Sequence, residues 1–123
     1  MKVLIDTHIF LWAISEPDKI DQRYRMELET AANTIYVSAV SMVELMIKSS
    51  IGKLQVDFDP VDIAEQSGFE LLDFSAPDAM PLKAMPFHHK DPFDRMLIAQ
   101  SMARGIPVMT TDRKFSLYDC KVI

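Results

Sequence analysis

Four short runs of aliphatic and aromatic residues, at 2–7, 34–37, 69–74 and 106–111, alternate with stretches of helical character. That alternation leaves few architectures open. The first run is continuous in aliphatic side chains, as in a strand covered on both faces, and it ends on Asp6-Thr7. Residues 9–12 begin a short helix that stops near Glu16-Pro17. Residues 18–32 are amphipathic, with Ile20, Tyr24 and Leu28 at four-residue spacing. A further helix follows the second run to about Ser50, capped by Ser38 or Ser41, and Gly52 breaks it. Residues 61–67 read as a short helix capped by Asp59, and 75–85 as one helix with Pro77 near its first turn and Pro81 weakening its middle. The strongest helix signal is at 92–104, with Asp91 as N-cap, Pro92 in the first turn and Gly105 just past the end. Residues 114–117 make one helical turn and 120–123 a last strand.

Such alternation predicts an α/β domain whose mostly parallel sheet is covered on both faces. Ligands then bind outside the carboxyl ends of the strands. Asp6 ends strand one, Asp112 follows strand four and Glu44 lies just beyond strand two, so all three are expected at that rim. Asp94, at the amino end of the helix feeding strand four, is expected on the opposite rim unless the preceding segment crosses over.

With 123 residues and 49% hydrophobic content, one domain spanning 1–123 has enough chain for a core, and two do not. A single cysteine, Cys120, excludes an intrachain disulfide framework and suits the cytoplasm. Asp6 and His8 interrupt the apolar opening, so it does not read as a signal peptide, and no stretch is long enough to span a membrane. The formal net charge of −5 offers no general attraction to nucleic acid. A polyanionic ligand therefore calls for a bound divalent cation or a basic partner.

Leu4-Ile5-Asp6-Thr7, Val40-Ser41-Met42-Val43-Glu44-Leu45, residues 91–100 from Asp91-Pro92-Phe93-Asp94-Arg95 to Gln100, and Met109-Thr110-Thr111-Asp112-Arg113-Lys114-Phe115 resemble the motifs of PIN-domain nucleases. More narrowly, the chain is similar to the VapC-type ribonuclease toxins of bacterial toxin–antitoxin pairs. The motifs stand in the family's order from residue 3 to residue 115. The resemblance implies a three-layer α/β/α PIN-like domain with a central, mainly parallel sheet of 4–5 strands. It also implies that Asp6, Glu44, Asp94 and Asp112 gather at one sheet edge as catalytic and metal-binding residues, with Asp91 as helix cap or accessory acid. The implied activity is Mg²⁺- or Mn²⁺-dependent endoribonuclease, and the implied partners are RNA, a VapB-type antitoxin and a second copy of the chain, docked through helices of the first half.

The chemistry asks for such a set, because Mg²⁺ and Mn²⁺ prefer oxygen ligands and activate water beside a phosphate. Thr7, Thr110 and Thr111 have hydroxyls to orient carboxylates or water, and Lys90, Arg95, Arg113 and Lys114 are candidates for phosphate contacts. His88-His89 reads as a solvated or RNA-facing loop, Lys48 as solvated charge, and Asp57, Asp59, Asp73 and Asp78 as turn and cap residues.

Each acid also has an ordinary reading. Asp6 and Asp112 suit strand ends, Asp94 suits the first turn of a helix, and Glu44 completes a capping box if Ser41 is the N-cap. Four such coincidences in one family's order favour the site. The rivals from another class are a non-catalytic PIN-like interaction module and a receiver-like signalling domain. The latter needs an acidic pair after strand one and a Lys after strand five, and neither is present.

Overall fold

A computed structural model describes residues 1–123. Four parallel strands, β1 (Lys2–Ile5), β2 (Thr34–Ser38), β3 (Glu70–Leu72) and β4 (Val108–Met109), form one sheet in the order β3-β2-β1-β4. β1 lies inside it, paired Lys2 to Thr34 on one edge and Leu4 to Val108 on the other. The last strand expected at 120–123 reduces to a single bridge between Val122 and Val108.

Six helices connect the strands: α1 (Thr7–Ser15), α2 (Gln22–Glu29), α3 (Ala39–Ser50), α4 (Pro60–Gln66), α5 (Ala76–Ala79) and α6 (Pro92–Arg104). Alternate residues of β1 face opposite ways, as the pleat requires: Val3 and Ile5 join one core cluster, Leu4 the other. The first cluster packs Ile9 and Phe10 of α1, Tyr24 of α2 and Ala64 of α4 against the sheet. The second packs Leu97, Ile98 and Ala99 of α6 with Phe115, Tyr118 and Met85. α3 spans the boundary, giving Val40 to one cluster and Leu45 to the other. No helix is long and apolar enough to cross a membrane.

Proline chemistry divides the helix expected at 75–85. α5 ends at Ala79, and Met80–Ala84 continues as a 3₁₀ turn because Pro81 has no N–H to give an α-helical bond. α6 keeps the predicted bounds, with the Asp91 side chain accepting the Phe93 N–H at its start. Gly105 ends it at φ +65°, where no atom lies within 4 Å of an added Cβ. Gly105→Ala is therefore expected to cost backbone strain alone, about 1 kcal/mol, read as a lower urea midpoint at unchanged m value.

α6 runs antiparallel to β4, which meets the condition left open for Asp94. Its carboxyl end delivers the chain to the start of β4, so its amino end lies beside the strands' carboxyl ends, with ligand atoms of Asp94 and Asp112 within 4.8 Å of one another. A crossover helix between parallel strands has to start at that rim.

Candidate active site

Asp6 follows β1 and caps α1, its Oδ1 accepting the Ile9 N–H at 2.8 Å. Its Oδ2 accepts the Thr110 hydroxyl, and Thr110 Oγ1 accepts in turn from the Asp112 N–H at 3.0 Å. The residue is 6% exposed. Burial pushes its carboxyl above the usual range, and the bonds from Thr110 and Ile9 offset only part of that.

Glu44 lies inside α3, because the N-cap is Ser38, whose Oγ accepts the Val40 N–H. The Ser41 capping box considered for Glu44 does not form. The carboxylate turns towards α1 instead, where Thr7 Oγ1 donates to Oε1 at 2.7 Å. An ionised carboxylate only accepts, so Ser41 Oγ, 2.8 Å from Thr7 Oγ1, is the donor to Thr7. Lys48, one turn on, pairs with Oε2 and is not free surface charge.

Asp112 caps the 3₁₀ turn Arg113–Leu117, accepting the Lys114 N–H at Oδ1 and facing His89 Nε2 at Oδ2, 2.8 Å away. Burial opposes its charge, but the bonds from His89 and Lys114 prevail and hold the carboxyl below its ordinary range.

Asp94 is the exception, because no hydrogen-bond donor reaches its carboxylate. Burial, then the charge of Asp91, then those of Glu44 and Asp6, push its pKa up to about 6, with His89 acting the other way. A half-buried carboxylate surrounded by three others and given no donor is the electrostatic situation a cation relieves. Ligand atoms of Asp94, Asp112 and His89 lie within 4.8 Å of one another, whereas Asp6 and Glu44 stand outside that group and act on Asp94 through their charge. Carboxylate oxygens are the donors that a hard divalent ion such as Mg²⁺ or Mn²⁺ takes, so the residues present fit one.

Among the accessory candidates, Thr7 and Thr110 orient carboxylates, whereas Thr111 is exposed and makes no side-chain bond. Asp91 is the helix cap. Lys90, Arg113 and Lys114 are exposed on the segments that carry Asp94 and Asp112. Arg95 differs from its expectation as a phosphate contact. Only 8% exposed, its guanidinium donates to the carbonyls of Pro86 and Met85 and lies over the Phe87 ring, so it fastens the loop before α6.

His88 is exposed, but His89 is buried against Tyr118 and Phe115, which corrects the solvated reading for that residue. Neither partner is near it in sequence, so only two neighbouring histidines marked the place. A cavity of about 190 Å³ opens beside Glu44, bordered by His8, Lys48, Lys53 and Leu54.

The sequence profile of one family, described as PIN domain, matches residues 3–120. No curated protein matches the chain. Among solved structures, it is similar to VapBC2 from Rickettsia felis bound to a DNA fragment from its promoter, at 21% identity and TM-score 0.73, covering 99% of this chain and 96% of that one. It is also similar to DNA-bound VapBC from Salmonella typhimurium, at 20% identity and TM-score 0.67 over 100% and 96% of the two chains. A third, VapBC-5 from Mycobacterium tuberculosis, a member of the VapBC family of toxin–antitoxin systems, has 16% identity and TM-score 0.57 over 94% and 89%.

Proposed function

Since this chain belongs to the PIN-domain family of nucleases, we propose that it is a divalent-metal-dependent endoribonuclease and the toxin of a VapC-type toxin–antitoxin pair. The observation that carries this reading is Asp94, a carboxylate left without a donor among three other acids and raised to about 6. In this reading Asp6, Glu44, Asp94 and Asp112 hold Mg²⁺ or Mn²⁺. A bound ion of that kind neutralises charge on the scissile phosphate and makes water a better nucleophile.

The chain's own residues do the rest. Thr7 and Thr110 hold the carboxylates of Glu44 and Asp6 through their hydroxyls. Lys90, Arg113 and Lys114 attract the RNA backbone along the rim. His8 and Lys53 border the cavity beside Glu44 and are the groups there to receive the adjoining phosphate. The acidic chain, at net charge −5, is matched by a basic segment of a VapB-type antitoxin in the cytoplasm. Val43, Met46 and Ile47, exposed along α3, and Ile51 just past its end are the surface we assign to a second copy of the chain.

Incubation of total RNA with the purified protein tests the activity. Cleavage is expected with Mg²⁺ or Mn²⁺, abolished by EDTA and restored by excess ion. RNA left intact with both ions, or cleaved equally in EDTA, would overturn the proposal.

A further inference from the structure

Tyr118 Oη lies 3.0 Å from the His88 backbone nitrogen and 2.8 Å from that of His89, and accepts both N–H groups. With its acceptor capacity used, its own proton is directed to the remaining neighbour, His89 Nδ1, at 3.0 Å. Nδ1 is then the unprotonated ring nitrogen and Nε2 carries the hydrogen, which it donates to Asp112 Oδ2 at 2.8 Å. The imidazole has little room to turn. It stacks on the Tyr118 ring at 5.5 Å and meets the Phe115 edge at 5.3 Å.

The bonds continue in one direction, from the Asp112 N–H to Thr110 Oγ1 and from the Thr110 hydroxyl to Asp6. His89 also precedes the Asp91 cap of α6 by two residues, so the same side chain ties the start of the helix carrying Asp94 to the segment carrying Asp112.

We propose that His89 is a positioning residue of the nuclease site: through the Nε2–H tautomer set by Tyr118, it holds the Asp112 carboxylate in its ligating orientation and keeps it beside Asp94. This rests on the metal-site reading above. His89 lies within ligand distance of Asp94 and Asp112, but it is not assigned as a ligand, because both ring nitrogens are already engaged. An outer partner of a ligating carboxylate typically affects metal affinity by about 10- to 100-fold.

Two readouts that do not depend on RNA cleavage test the proposal. Long-range ¹H–¹⁵N NMR of the metal-free protein is expected to find His89 as the Nε2–H tautomer, and Tyr118→Phe to relax that preference. Calorimetric titration with Mn²⁺ is expected to show affinity about 10- to 100-fold weaker in His89→Ala. His89→Gln, which keeps an N–H donor at similar reach, is expected to recover most of the loss. Tyr118→Phe is expected to add little to His89→Ala when the two are combined.

An Nδ1–H tautomer in the wild-type protein, unchanged Mn²⁺ affinity in His89→Ala, or Gln performing no better than Ala would each overturn the inference while leaving the nuclease reading intact. A wild-type protein that binds no Mn²⁺ overturns both. If His89→Ala does not fold, as judged by circular dichroism, His89→Gln and Tyr118→Phe decide it by the same two readouts. Affinity at the wild-type level in Tyr118→Phe with the tautomer lost counts against the proposal.

Discussion

Asp94→Asn is expected to make the metal-free protein more stable at pH 7.5 and, in the same molecule, to abolish nuclease activity. The two effects have one cause. The Asp94 pKa is about 6 in the folded chain, against roughly 3.9 for an unfolded aspartate, so the folded state binds this proton more tightly. Ionised Asp94 therefore costs stability fully above the folded pKa, and the cost disappears as pH falls from about 6 towards 4. A shift of this size corresponds to about 3 kcal/mol, which solvent screening of a half-exposed group reduces to about 1–2 kcal/mol. Asparagine also forgoes the favourable placement of an acid in the first turn of α6, worth roughly 0.5 kcal/mol. The net gain is about 1 kcal/mol, or a few degrees in melting temperature.

Thermal melts at pH 7.5 and pH 5.5 check this. The variant should lead at the higher pH, the gap should narrow at the lower, and Mg²⁺ or Mn²⁺ should reverse the order by stabilising only the wild type. Activity should fall by about 10³-fold or more, since the residue would act on the reacting phosphate through the ion. A variant less stable than wild type at both pH values would reject the electrostatic account of the site.

A larger loss of stability is expected at the far end of the same helix. Asp78, 1% exposed, accepts from the Ser75 N–H, from Gln100 Nε2 at 3.1 Å, and from Arg104 Nε and Nη2 at 2.8 and 2.9 Å. Four donors converge on two oxygens, and Arg104 foremost holds the carboxyl far below its ordinary range against the opposing effect of burial. Asp78→Ala removes the carboxylate from the Gln100 amide and the Arg104 guanidinium and leaves each only the Asp73 carbonyl. Removing one member of a buried pair costs about 3–5 kcal/mol, and because Arg104 keeps a third of its side chain in water, about 3 kcal/mol is expected here.

In urea that is a clear fall in midpoint, and in heat on the order of 10 °C. Because this carboxyl's pKa is depressed, its contribution is fully present above about pH 4 and is lost only as pH falls towards the folded value. Arg104, the α6 residue that grips Asp78, lies roughly 15 Å along the helix from Asp94, so RNA cleavage well below the new melting point should stay near the wild-type level. A stability loss under about 1 kcal/mol would mean that the network adds little to holding α6 in place.

Much of the site could be read from local signals. Asp91-Pro92 and Gly105 bracket α6 because capping and the left-handed turn are decided by adjacent residues. The order of the acids carried the family, and the strand–helix alternation carried the sheet. What escaped depends on partners distant in the chain. The sequence leaves both Ser38 and Ser41 open as caps of α3, and with Ser38 as the cap Glu44 lies inside the helix and faces Thr7 across the fold. Arg95 looked like a phosphate ligand until the Pro86 and Met85 carbonyls were seen to take its guanidinium. The burial of His89 needed Tyr118 and Phe115, more than twenty residues downstream. The placement of Asp94 needed the direction of a helix, which spacing does not encode.

The sheet acts as a partition between two hydrophobic clusters that share no residue, and the acids are mounted on both sides of it. Asp6 leads into Ile9 and Phe10 of one cluster, and Glu44 is next to its Leu45; Asp94 leads into Leu97 and Ile98 of the other, and Asp112 into its Phe115. An ion that draws on acids from both sides, as proposed above, would be a clasp between separate layers. Loading it should slow amide exchange in α1 and α6 together, although those helices lie on opposite faces, because slippage of one layer past the other must first open the clasp.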